Sequence, residues 1–133
     1  MKYLLDTHAF LWSIANTKEL SKNVIRVIKN PDNEIYVSSV SLWEIAIKTR
    51  IGKLEITGTS IDELPSIIEK LDYSQISLTG EDAIGYANLK ESTHKDPFDR
   101  MLIWQCLSRN MTMISRDTEF LKFVPFGLKL LWS

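Results

Sequence analysis

The sequence predicts an α/β fold, with a central, mostly parallel sheet of about five strands and helices on both faces. Two observations predict it. Short apolar runs alternate along the chain with longer segments that carry helix-start signals, the pattern of βαβ units. The apolar runs themselves, YLL at 3–5, IYV at 35–37 and MTMI at 111–114, are continuous, as expected of strands covered on both faces. With 133 residues, 44% apolar and 25% charged, the chain is expected to form one domain, 1–133, able to bury a core.

The elements follow in order. KYLL (2–5) reads as a short strand that stops at Asp6. Helices are expected from about Thr7 to Ile14 and from about Ser21 to Lys29, and NPDN (30–33) is a cluster of turn-formers. EIYVS (34–38) is the second strand. Ser41 and Glu44 have capping-box spacing and open a helix to about Ile51, stopped by Gly52. Ser60 and Glu63 repeat that signal for a helix to about Leu71. QISL (75–78) is the third strand, with a helix from Thr79 to about Glu91. In KDPFDR (95–100), Asp96 suits an N-cap, Pro97 the first helical position and Asp99 the third, beside the positive helix end. MTMIS (111–115) makes the fourth strand, a helical turn spans 118–123, and a last strand is expected at 128–132.

Bulk properties exclude several function classes. A formal net charge of −1 gives no general attraction to nucleic acid or acidic membranes, so a phosphate substrate would have to be gripped locally. The single cysteine excludes an internal disulfide; Cys106, among apolar helical neighbours, is expected to be a buried reduced thiol of a cytoplasmic protein. Asp6 breaks the first apolar run, so neither signal peptide nor membrane span is expected. No glycine-rich phosphate loop occurs, which argues against a P-loop nucleotidase.

One feature of the KDPFDR helix exceeds its local role. Leu102, Ile103, Cys106 and Leu107 follow Asp99 at helical spacing, so this carboxylate shares the stripe that should face the core, where it is costly unless compensated. In open parallel sheets ligands bind beyond the carboxyl ends of the strands. Asp6 follows strand one and Asp117 lies just past strand four, while Glu44 and Asp99 are placed in the first turns of helices entering from that edge. Each acid has an ordinary alternative. Asp6 and Asp117 would serve as helix caps, Glu44 as the capping-box partner of Ser41 with Lys48 at i+4, and Asp99 as a dipole charge. Together they demand more, because carboxylates about 5 Å apart repel by about 3 kcal/mol per pair at an effective dielectric near 20. A divalent cation turns that repulsion into binding, and a set of oxygens without a histidine or cysteine cluster suits Mg²⁺ or Mn²⁺. Such a site activates water against a phosphodiester without any protein nucleophile.

Lys48, Arg50, Lys53, Arg100 and Arg116 are candidate phosphate contacts, with ion pairing or solvation of a helix face as the equal alternative. His8 could reach the rim, though a structural or solvent-facing role is expected; His94, in the polar loop STHKD, is expected to be exposed.

With these residues in place, the sequence resembles the PIN-domain ribonucleases, in particular the toxin subunits of VapBC-type toxin–antitoxin pairs. LLDTHAFLW (4–12), SSVSLWEIAIK (38–48), HKDPFDRMLIWQC (94–106) and MISRDTEF (113–120) resemble the family's motifs in order, carrying Asp6, Glu44, Asp99 and Asp117. Thr7, Ser115 and Asp96 fall beside these acids in supporting or capping positions. Trp104 and Cys106 stand where the subfamily usually has alanines. The resemblance implies a three-layer α/β/α PIN domain and a Mg²⁺- or Mn²⁺-dependent endoribonuclease. It also implies homodimerisation and silencing by a small antitoxin, for which the tryptophans and the stretches near 9–14 and 43–51 could supply a surface. Two other readings compete. One is a catalytically inactive acidic-pocket module that binds a protein or RNA, which would be expected to lack one of the acids. The other is an aspartyl-phosphate phosphatase, which needs a second aspartate where His8 stands.

Overall fold

The computed structural model describes all 133 residues, Met1–Ser133, and is organised by one sheet. Strands β1 (Lys2–Leu5), β2 (Glu34–Ser38), β3 (Ser74–Ile76), β4 (Thr112–Ile114) and β5 (Lys129–Leu131) lie in the order β3-β2-β1-β4-β5. Every pairing is parallel, with Leu4 held between Tyr36 and Met113. Successive strands run outward from β1 to one side and then resume on its other side. The crevice beyond the carboxyl ends of β1 and β4 is therefore the topological switch point, where such sheets bind ligands.

Side chains alternate across the sheet, and each face has its own core. Tyr3, Leu5, Ile35, Val37 and Ile114 point to the side covered by α1 (Thr7–Ala15), α2 (Lys22–Lys29) and α4 (Leu64–Lys70), where Phe10, Val24 and Ile68 pack. Leu4 and Met113 point to the other side, covered by α6 (Pro97–Arg109) and a 3-10 stretch at Thr118–Phe126. Phe120 and Phe123 join Leu102 and Ile103 there. The helix α3 (Ser39–Arg50) serves both sides, Ile45 in the first core and Val40 in the second. This is the three-layer α/β/α arrangement. No helix is long and apolar enough to cross a membrane.

Four helix boundaries differ from the sequence expectation. The α3 helix opens directly from β2, capped by Ser38, whose hydroxyl accepts from Val40 N–H; Ser41 is an interior residue, so no Ser41–Glu44 capping box forms. The expected helix from Ser60 is a 3-10 turn, Ile61–Glu63, followed by α4. Pro65 lies in the first turn of α4, where its missing N–H costs nothing. The helix from Thr79 does have a capping box, with Asp82, but α5 (Gly80–Gly85) gives way to a 3-10 turn at Tyr86–Asn88 and never reaches Glu91. Gly85 is pressed against the Trp104 indole, so close that a Cβ would fall 2.6 Å from Trp104 Cε2. Finally, the turn expected at 118–123 continues as 3-10 helix to Phe126.

A buried polar strut ties the second face together. Gln105, fully buried on α6, accepts from Ser38 Oγ at 2.6 Å and donates to Asp82 Oδ2 at 3.1 Å. Arg109 grips both oxygens of Asp82, at 2.8 and 3.0 Å. Burial alone would raise the Asp82 carboxyl. The hydrogen bonds from Arg109, Thr79 and Gln105 outweigh it and hold the group well below the usual carboxylate range. Cys106 is buried and reduced, as its apolar neighbours imply.

Candidate active site

The carboxyl end of β1 delivers Asp6 straight into the switch point. Its amide donates to Ile114 O at 3.0 Å, which extends the β1–β4 ladder by one step and fixes where the side chain emerges. Asp6 Oδ1 then accepts from Ala9 N–H at 2.8 Å, capping α1. The Ser115 hydroxyl, at the end of β4, faces the same carboxylate and favours its charged form. Burial acts more strongly and leaves the Asp6 carboxyl raised above its ordinary value. Two residues on, Asp117 Oδ1 accepts from Glu119 N–H at 2.9 Å, capping the 3-10 stretch, while Ser115 Oγ accepts from Asp117 N–H at 3.1 Å.

Two acids come from helices. Glu44 lies in the second turn of α3, one turn deeper than the sequence suggested, and is 3% exposed. Thr7 Oγ1 donates to its Oε1 at 2.6 Å and lies 3.0 Å from Ser41 Oγ, while Lys48 pairs with its Oε2. Asp99 is the third residue of α6, whose N-cap is Asp96, accepting from Phe98 N–H at 2.9 Å and Asp99 N–H at 3.1 Å; Pro97 takes the first position. The expectation for KDPFDR therefore holds at each of its three positions.

Asp99 has a partner that its spacing could not announce. His94 Nε2 lies 3.0 Å from Asp99 Oδ2, and only 10% of the His94 side chain is exposed, packed edge-on to Phe120 and Phe123. The expectation of an exposed His94 is thus overturned. The loop folds back because Glu91 accepts from the Thr93 and His94 amides and from the Thr93 hydroxyl. Burial, with the charges of Asp96 and Glu44 adding to it and the His94 hydrogen bond opposing, pushes the Asp99 carboxyl up to about 6.

All four predicted acids line one cavity of about 420 Å³, together with Asp96, Thr7, His8, Trp12, Lys48, Arg116 and Phe120. Convergence of the four on one edge is what the sequence reading required. The oxygens do not collapse together, however: no three acidic or histidine side chains lie close enough to share one ion as they stand. The donor set is nonetheless what a hard dication needs, oxygen-only and net negative, with two carboxyls already raised by burial and mutual repulsion.

The basic candidates divide. Lys48 and Arg116 line the cavity. Arg116 is exposed on its rim, paired with Glu19 at 2.8 Å and lying over the Trp12 ring at 4.2 Å. Lys53 lines an adjoining hollow with Lys48, and Arg50 is exposed at the end of α3 outside both. Arg100 does not face the site and is corrected. Its guanidinium donates to His94 O and Leu89 O, sits 3.6 Å from Glu91, and stacks over Tyr86 and Phe123. It anchors the 89–94 loop and so holds His94 in place. His8 is exposed on the rim and stacks on Trp12, which the sequence reading passed over although the i,i+4 spacing from His8 places both on one face.

The sequence model of the PIN domain matches residues 3–124. No curated protein matches the chain. Among solved structures, VapBC2 from Rickettsia felis, bound to a DNA fragment from its promoter, shares the fold with a TM-score of 0.71 at 20% identity, covering 100% of both chains. VapBC-1 from nontypeable Haemophilus influenzae gives 0.68 at 18%, covering 98% of this chain and 97% of that one. DNA-bound VapBC from Salmonella typhimurium gives 0.65 at 16%, with the same coverage.

Proposed function

The chain belongs to the PIN-domain family, and from that premise we propose that it is a Mg²⁺- or Mn²⁺-dependent endoribonuclease, the toxin of a VapBC-type toxin–antitoxin pair. The observation that carries the reading is the single cavity lined by Asp6, Glu44, Asp99 and Asp117 at the switch point of the sheet. Folding has brought four acids from distant parts of the chain to one place.

Asp6, Glu44, Asp99 and Asp117 are the residues to hold the metal. A bound dication there supplies the Lewis acidity that lowers the pKa of water and offsets charge on the leaving oxygen. The protein's share is positioning. Thr7 fixes the Glu44 carboxylate, and the Ser115 hydroxyl accepts from the Asp117 amide while facing the Asp6 carboxylate. Asp96 pins the first turn of α6 so that Asp99 faces inward. Arg116, an exposed cation at the rim, is placed to meet an RNA phosphate.

The presence of all four acids disfavours an inactive binding module. The same reading makes residues 1–133 one working PIN domain, acting in the cytoplasm as a homodimer and silenced by a small antitoxin. The exposed apolar side chains of α3 and its end, Trp43 and Ile51, offer such a partner a surface. The test is RNA cleavage by the purified chain. Activity should require added Mg²⁺ or Mn²⁺, stop with chelator, and be lost in Asp6→Asn and Asp99→Asn that still fold. Full cleavage by either variant would remove the mechanism.

A further inference from the structure

We infer that Lys48 is a counter-ion built into the acidic cavity, and that its ammonium must leave Glu44 before a dication is held there. The inference rests on the metal-dependent reading above and adds how access of the ion is controlled. Asp99 and Asp117 each commit one oxygen at hydrogen-bond distance, to His94 Nε2 and Glu119 N–H, and Asp6 takes Ala9 N–H on Oδ1 with the Ser115 hydroxyl facing the same carboxylate. Glu44 commits both, Oε1 to the Thr7 hydroxyl and Oε2 to Lys48, and it alone is paired with a side chain that is charged at every physiological pH.

An ordinary i,i+4 pair is different: both groups are wet, and little is lost when they part. Here the Glu44 side chain is only 4% exposed and lines the acid cavity, so its charge needs a cation from somewhere. With no metal bound, Lys48 fills that need. Once an ion enters, a lysine in the same cavity repels it and occupies an oxygen that the ion requires.

There is also somewhere for Lys48 to go. Its side chain is 34% exposed, and it lines both the acid cavity and an adjoining hollow of about 240 Å³ that Thr7, His8 and Glu44 border on one side and Leu11, Lys53 and Leu54 also line. Rotation of the flexible stem toward the Leu11 and Leu54 side of that hollow would free Glu44 Oε2 while Thr7 keeps the carboxylate oriented. Lys48 is thus a positioning residue that trades places with the metal.

The test is Mn²⁺ uptake by the full chain without RNA, read from loss of the free Mn²⁺ spin-resonance signal. Lys48→Met and Lys48→Gln should bind Mn²⁺ at least about tenfold more tightly than wild type, since one unit of like charge has been removed from the cavity. Lys48→Arg, which keeps the charge, should bind close to wild type. The glutamine variant keeps a hydrogen-bond donor for Glu44 and serves should the methionine variant fail to fold. On the wild type itself, amine labelling read by mass spectrometry should show Lys48 becoming more reactive as Mn²⁺ saturates the protein. Wild-type binding with no tightening in the neutral variants, or unchanged Lys48 labelling, overturns the counter-ion role and leaves the nuclease reading standing. No Mn²⁺ uptake by any of the proteins overturns both.

Discussion

Replacing Asp99 by asparagine should make the protein more stable at neutral pH while abolishing cleavage. The Asp99 carboxyl is pushed from 3.8 up to about 6, chiefly by burial, with the charges of Asp96 and Glu44 adding to it. Below about pH 4 the group is neutral in both the folded and the unfolded chain and costs nothing. Above about pH 6 it is charged in both, and the folded state bears the full penalty. The cost therefore accumulates as pH rises between those values. Two pH units correspond to about 3 kcal/mol. Losing the favourable carboxylate interaction with the α6 N-terminus gives back about 0.5–1 kcal/mol, leaving a net gain of about 2 kcal/mol for Asp99→Asn. For a domain of this size that raises Tm by about 5–8 °C. Thermal and urea melts of wild type and variant, without divalent ions, at several pH values from 4 to 7.5 would measure it. The gain should be full at pH 7.5, shrink below pH 6 and vanish near pH 4. Adding Mn²⁺ should then narrow the gap, because only the wild type gains much from the ion. A variant less stable than wild type at pH 7.5, or a gain that ignores pH, would refute the claim that this carboxylate is held at a cost.

Three further outcomes follow from the packing and the charges. Gly85→Ala would drive a methyl into the Trp104 indole and should cost about 1–3 kcal/mol in urea melts, with Trp104→Phe in the same chain recovering part of the loss. Gln105→Ala leaves Ser38 and Asp82 short of partners inside the protein and should cost about 2–4 kcal/mol; a loss below about 0.5 kcal/mol would mean the strut carries no weight. Arg116→Met should lower the slope of RNA affinity against salt concentration by about 1, whereas Arg100→Met should lower Tm and leave that slope unchanged.

The parts of this fold written in short-range chemistry were legible. EIYVS is a strand over the expected residues, and the Asp96–Pro97–Asp99 start of α6 has the geometry its residue types dictate. The sheet followed from apolar runs that had no polar alternation, because both faces are covered. Legibility failed where a contact distant in sequence overrides a local signal. Ser41 and Glu44 have capping spacing, yet the strand runs into the helix so directly that Ser38 becomes the cap, and Glu44 is turned toward Thr7, far away in the chain. The α5 helix tightens into a 3-10 turn after Gly85, the residue packed against Trp104 from another helix. Arg100 and His94 were misplaced for the same reason: the loop that Glu91 ties together decides which way both side chains face, and no periodicity encodes it.

The ordinary local roles of the acids and their shared role in one cavity turn out not to compete. A carboxylate has two oxygens, and capping uses one of them. Asp6 caps α1 and Asp117 caps the 3-10 stretch, each through Oδ1, and the cap fixes the rotamer with the rest of the group at the cavity wall. Capping thus orients an acid that a metal site would otherwise have to orient at an entropic cost. The same economy explains why Asp99 is not the cap of its own helix. Asp96 takes that role, which leaves Asp99 in the first turn, half-buried, with a carboxyl that water stabilises poorly. Glu44, in mid-helix, has no orphan amide to bind and must be oriented by side chains alone, so it draws in Thr7 and Lys48. Of the two acids that cap nothing, Asp99 has His94 beside it and Glu44 has Lys48, so Glu44 is the one with a resident cation and the place where, on our proposal, entry of a dication is controlled.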